Sequence, residues 1–207
     1  MNRILLPAIL FLSLLLLSGQ QRDSLSNVRL LHEAQAAFDS AEYDLALGKA
    51  HFALGQMDEI SADYGTCILL MGHVFLEKGE YDAAQQQYKL ALDAFQKQGK
   101  QPEQTALALN GLGESLSKKS HCEEAEPYYH QALRIRQHLF GEMHQSVADS
   151  YNNLANCLVQ KGQYAAALTL HQKTLGIREK VLPPEHPDLA TSHNNLGNCY
   201  LLAGNYQ

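Results

Sequence analysis

Asn152-Asn153-Leu154-Ala155, followed by the break Lys161-Gly162-Gln163-Tyr164, decides the fold, because both pieces recur. The first is preceded by Asn110-Gly111-Leu112-Gly113 and followed by Asn194-Asn195-Leu196-Gly197, each 42 residues away. Gly162-Gln163-Tyr164 returns as Gly204-Asn205-Tyr206, again 42 residues on, and Gly79-Glu80-Tyr81 is an earlier copy in register with Met71-Gly72. Residues 133–155 match 175–197 closely. Leu133/Leu175, Ile135/Ile177, Arg136/Arg178, His144/His186, Ala148/Ala190 and Ser150/Ser192 are identical pairs. A fixed period of this length marks stacked repeats rather than one closed core.

Each repeat contains two helical stripes. Val147, Ala148, Tyr151, Leu154, Ala155 and Leu158 fall at helical spacing. Gly162 breaks that helix, since glycine takes the left-handed turn conformation without a Cβ penalty. Tyr164, Ala167, Leu168, His171, Leu175 and Leu182 trace the second stripe, and Pro183-Pro184 ends it. Gly72, Gly113, Ala155 and Gly197 on the first helices, with Ala84, Ala125 and Ala167 on the second, are expected where two backbones cross closely. Further back, Tyr43-Asp44-Leu45-Ala46 matches Tyr81-Asp82-Ala83-Ala84 at a step of 38, so residues 27–60 form a degenerate first pair, with Ala34 and Phe38 on its first helix.

The expectation is an all-α fold, a right-handed superhelical solenoid of stacked antiparallel helix pairs. Helices are predicted over 27–40, 43–57, 64–78, 81–97, 105–118, 122–139, 147–161, 164–181 and 189–203. The main array spans 61–207, with its last repeat incomplete.

Leu-Gly or Leu-Ala, then Gly-x-Tyr, then Ala and a closing Ala-Leu resembles the tetratricopeptide repeat. Residues 177–182 (Ile-Arg-Glu-Lys-Val-Leu), 185–190 (Glu-His-Pro-Asp-Leu-Ala) and Asn194-Asn195-Leu196-Gly197 look like the kinesin-light-chain-like subclass. The resemblance covers residues 61–207 well and 28–60 weakly. Ser120 departs from the pattern at the turn glycine, His171 at the usual aromatic and Thr174 at the usual alanine. These departures are expected to weaken packing locally. The resemblance implies a non-catalytic scaffold whose first helices line a concave groove for a peptide or protein partner. Groove positions one turn apart are then Asn110 and Glu114, Asn152 and Asn156, and Asn194 and Asn198, with Leu69 and His73 one repeat earlier. Asparagine offers both a donor and acceptors, which suits the backbone of an extended peptide. Asn153 and Asn195, one residue on, are expected to tie adjacent repeats.

Composition agrees with an ordered helical chain. Hydrophobic residues make up 45% and charged residues 18%, with six prolines and no tryptophan. A net charge of -6 with no basic stripe argues against a nucleic-acid partner. The first 20 residues stand apart: Arg3, an apolar run over 4–17 and Ser18-Gly19 before polar residues make the layout of a signal peptide. Export to a periplasmic or extracellular space follows from that layout. The same stretch also fits an uncleaved membrane anchor or a buried helix, although it is shorter than the roughly 20 residues of a span.

No catalytic, cofactor or metal site is expected. HExxH, GxGxxG, Walker and GxSxG patterns are absent. Glu123, Glu124 and Glu126 open a second helix, where acids meet the helix dipole favourably. His144 and His186 lie in inter-repeat loops and are expected to cap or pack. Cys67, Cys122, Cys157 and Cys199 form no CxxC pair. Cys157 and Cys199 sit in equivalent helices, about 8–10 Å apart in such stacks, too far for the 7 Å or so that a disulfide spans. The stop at Tyr206-Gln207, where a second helix should begin, suggests the front of a longer protein or a truncated one. Exported arrays of this type resemble the front halves of bacterial proteins that end in a caspase-like CHAT peptidase domain, which would make this stretch a substrate-recruiting or regulatory arm.

Overall fold

The computed structural model describes residues 26–59, 61–99 and 101–204. Among them are nine helices and no strand. They are α1 (26–39), α2 (Tyr43–Leu54), α3 (Ala62–Glu77), α4 (Tyr81–Gln98), α5 (Pro102–Lys118), α6 (Cys122–Phe140), α7 (Gln145–Gln160), α8 (Tyr164–Val181) and α9 (Pro187–Leu202). Every predicted helix is present, and no boundary moves by more than three residues. The N-terminal segment read as a signal lies outside the described residues. No helix among the described residues is long and apolar enough to cross a membrane.

Odd-numbered helices α3, α5 and α7 pack against the even-numbered helices that follow them, Ala37 of α1 shares a core cluster with Ala46 of α2, and α2, α4, α6 and α8 pack on the next odd helix. The odd helices α3, α5 and α7 also touch one another, forming a continuous layer. The four hairpin turns share one hydrogen-bond pattern. At the first, Ala41 N–H reaches Phe38 O and Glu42 N–H reaches Ala37 O, both at 2.9 Å. Gly79/Glu80, Ser120/His121 and Gly162/Gln163 repeat it. The closing residue is left-handed in each case, with φ of 59° at Ala41, 75° at Gly79, 64° at Ser120 and 73° at Gly162. This satisfies the last carbonyls of the first helix and reverses the chain. His144 and His186 cap α7 and α9, their Nδ1 atoms each accepting a backbone N–H at 3.2 Å, from Ser146 and Asp188.

The core explains the small residues differently from the sequence expectation. What fills the space beside them is a ring, not a second backbone. A Cβ on Gly72 would lie 2.8 Å from the Tyr88 ring, and one on Gly113 would lie 2.8 Å from the Tyr129 ring. Tyr88 and Tyr129 follow Ala84 and Ala125 by one turn and are almost fully buried. In the next pair the equivalent positions hold the smaller ring of His171 and Ala155, which carries a Cβ. Ring size and notch size therefore change together. At Thr174 the hydroxyl donates to Leu170 O at 3.0 Å and lies 3.4 Å from Ala148 O, whereas His171 Nδ1 is buried with no hydrogen-bond partner among the described residues.

Candidate peptide groove

The groove positions lie on α5, α7 and α9, and the structure separates them into two kinds. Asn110 Oδ1 accepts the Asn153 Nδ2–H at 3.0 Å. Asn152 Oδ1 accepts the Asn195 Nδ2–H, also at 3.0 Å. Asn153 and Asn195 thus tie repeats, and the groove residues Asn110 and Asn152 are the acceptors of those ties. Each bond fixes which way the accepting amide is turned. No partner for the Nδ2 donors of Asn110 and Asn152 occurs among the described residues. Asn156, Asn194 and Asn198 make no side-chain hydrogen bond there either, and the last two are exposed.

The α3 end is closed. Leu69 is buried. His73 Nδ1 pairs with the Tyr88 hydroxyl at 3.0 Å, and the two rings meet edge to face. Burial pushes His73 down to about 4, so its imidazole is neutral near pH 7. Glu114 is half-buried. Burial raises its carboxyl above the usual range, Lys118 opposes that, and Glu77 adds to it. The Tyr88 phenol is raised by burial first and by the charges of Glu114 and Glu77 after it.

Beneath the amides runs a second set of ties. Arg136 Nη1 donates to Ser150 Oγ at 2.7 Å and to Ser146 O at 3.1 Å. Arg178 repeats this on Ser192 Oγ at 2.8 Å and Asp188 O at 3.0 Å, and its Nη2 meets Asp149 Oδ1 at 2.7 Å. The identical pairs Arg136/Arg178 and Ser150/Ser192 were visible in the sequence, but their bond was not. The available signal was the constant offset of 14 residues from arginine to serine. Lys161, at the end of α7, pairs with Glu126 at 3.0 Å.

The candidate groove positions present amides and one carboxylate on the layer of first helices. Among the described residues no cluster of histidine, cysteine, aspartate or glutamate is arranged to hold a metal ion. What these groups can do is donate and accept hydrogen bonds along a strand of peptide.

A family model described as tetratricopeptide repeat matches residues 65–138 and 146–207. No curated protein matches the chain. Among solved structures, BtubC (BKLC) from P. vanneervenii is 25% identical with a TM-score of 0.74, over 92% of this chain and 84% of that one. A Rap protein complexed with Competence and Sporulation Factor is 18% identical with a TM-score of 0.71, over 86% of this chain and 49% of that one. The apo form of RapI is 18% identical with a TM-score of 0.74, over 87% of this chain and 65% of that one. The two Rap likenesses concern the fold alone. The two stretches under the family model make up more than half the sequence, and they hold the helices from α3 onward, the last three hairpin turns and the ring-filled notches; the chain belongs to the tetratricopeptide repeat family.

Proposed function

We propose that the chain is a non-catalytic interaction scaffold that holds an extended peptide along α5, α7 and α9. The observation that carries this is the pair of amide ties. By engaging Oδ1 of Asn110 and Asn152, they leave an Nδ2 donor from each on successive helices. Neighbouring helices of this kind lie about 8–10 Å apart. An extended peptide rises about 3.3 Å per residue, so two such donors are spaced to meet carbonyls roughly three residues apart. Asn156, Asn194 and Asn198 supply further donors and acceptors without a competing protein bond. Recognition of this kind is directed at backbone and tolerates varied side chains.

The kinesin-light-chain-like character of the repeats is part of the same proposal, supported by the 42-residue period and by the likeness to BtubC (BKLC). Export is proposed from residues 1–20 alone.

Peptides selected from a random displayed library against the full chain provide the test. The triple variant Asn156→Ala, Asn194→Ala, Asn198→Ala should keep its helical circular dichroism and bind those peptides roughly ten-fold to a thousand-fold more weakly, at about 0.5–1.5 kcal/mol per lost bond. Asn110→Asp with Asn152→Asp keeps the accepting oxygens of the ties and removes the two donors, and undiminished binding by this variant and by the triple variant, both folded, would exclude this face.

A further inference from the structure

The second helices of the array begin with Tyr43, Tyr81, Cys122 and Tyr164. Cys122 alone breaks the tyrosine series. On the first helices that pack against these starts, Cys157 and Cys199 share one register. Cys199 Sγ lies 3.5 Å from the carbonyl oxygen of Tyr164, and Cys157 Sγ lies 4.0 Å from that of Cys122. The same thiol therefore arrives at the same place twice, and at α6 it meets a second thiol.

Several contacts bind the two sulfurs into one cluster. Ser117 Oγ touches Cys122 Sγ at 3.7 Å and Cys157 Sγ at 3.6 Å. Cys122 Sγ–H donates to Gln160 Oε1 at 3.1 Å, and Gln160 Nε2 donates back to Ser117 Oγ at 3.2 Å. Both cysteines are free thiols, 4% and 0% exposed. Burial, and then the hydrogen-bonding thiol of Cys122, push the Cys157 thiol up to about 12. By contrast, Cys67 donates to Ala50 O at 3.1 Å, away from this cluster. Cys122 borders an open cleft of about 720 Å³ that is also lined by Ser117, His121, Glu124, Gln160 and Lys161.

We propose that Cys122 and Cys157 are a dithiol site that a small disulfide oxidant, such as glutathione disulfide, converts into a covalent bridge between α6 and α7. Cys157 is fully buried and does not line the cleft, so the first attack falls to Cys122, which borders it. Cys122 gives its proton to solvent, and its sulfur forms a bond to one sulfur of the oxidant. The oxidant's S–S bond breaks, and one glutathione thiolate leaves and takes up a proton. Cys157 then loses its proton and attacks the Cys122 sulfur of the mixed disulfide, expelling the second glutathione as a thiol. Two protein thiols are oxidised by two electrons, and one oxidant disulfide is reduced to two thiols. The site is independent of the groove, so it stands or falls apart from the proposed peptide binding.

The test incubates the native full chain with glutathione disulfide at mildly alkaline pH, then alkylates free thiols and maps tryptic peptides by mass spectrometry. The expected product retains two alkylatable thiols, Cys67 and Cys199, and yields a peptide pair joined through Cys122 and Cys157. It should also melt several degrees higher than the reduced chain. Cys122→Ser and Cys157→Ser should each abolish the joined pair, and the Cys67→Ser, Cys199→Ser double variant should retain it. Four alkylatable thiols, a pairing that involves Cys67 or Cys199, or a lasting glutathione adduct on Cys122 without ring closure would each overturn the proposal.

Discussion

The seam between α4 and α5 and the seams at α6/α7 and α8/α9 join equivalent repeats by different chemistry. At the first, the Tyr88 ring lies over Gly111, where an added Cβ would sit 2.3 Å from the ring. Phe95 takes the register that Arg136 and Arg178 hold later, and its ring is turned onto Gly65 of its own helix pair rather than across the seam. At the later seams the glycine is Asn153 or Asn195 and the phenylalanine is a buried arginine. One period thus accommodates an apolar and a polar joint. The apolar joint gains from area removed from water, which is not directional. The polar joint must align several donors and acceptors at once. It sets register more sharply, and it leaves a desolvated charge if one member is lost.

The comparison breaks most visibly at Arg178. Arg178→Met keeps the bulk but removes bonds to Asp188 O, Ser192 and Asp149. The expected loss is about 3 kcal/mol, since charged hydrogen bonds contribute roughly 1.5–3 kcal/mol each and do not add fully. Urea denaturation measures it, and hydrogen exchange should show α9 losing protection first. An unchanged midpoint would mean that the arginine does not hold the seam. Gly111→Ala probes the apolar joint. Overpacking costs about 1–3 kcal/mol, while replacing a helical glycine by alanine returns up to about 1 kcal/mol. The net loss should be roughly 1–2 kcal/mol. Gly176→Ala is the matched control, because nothing lies within 4 Å of its added Cβ. It should show only the gain. If both substitutions stabilise the chain, Tyr88 is free to move and the close fit at that seam is unimportant.

A milder probe is pH. His73 and His171 both have folded-state values pushed down, His73 by burial to about 4 and His171 by burial and by Arg178. The unfolded chain takes up protons near the ordinary histidine value of about 6.5 that the folded chain refuses. Their contribution is complete above that value and is lost as pH falls from about 6.5 through the folded values. Melting temperature should therefore decline gradually between pH 7 and 5. His73 faces the Tyr88 hydroxyl and the Phe38 ring, with Glu77 and Glu114 beyond. His73→Gln should flatten part of that decline, and an identical acid limb in the variant would assign the loss to other groups.

The 42-residue period carried the helices and turns legibly, because glycine, proline and apolar spacing act locally. Partners across a seam were less legible. Asn110 and Asn153 are 43 residues apart, and Lys161 meets Glu126 from 35 residues downstream. Nothing local in either segment indicates the bond, and only the stacking of one pair on the next brings them together. The aromatic rings explain the remaining gap. A glycine beside a leucine suggests a close approach, but whether backbone or ring fills it depends on a residue 16 positions later, Tyr88 for Gly72 and Tyr129 for Gly113.

Two of the four hairpin turns use Ala41 and Ser120 in a left-handed conformation that Gly79 and Gly162 adopt without a Cβ. Each such residue carries roughly 1 kcal/mol or more of strain, partly offset because glycine loses about 0.5–1 kcal/mol more on ordering. In a closed globular core such mismatches would add to one shared account. Here each turn belongs to one helix pair, and each pair touches only its neighbours, so the penalty stays where it arises. In evolutionary terms the array is modular: a lineage can lose a turn glycine in one unit, or duplicate a unit that has kept it, without renegotiating the rest of the protein.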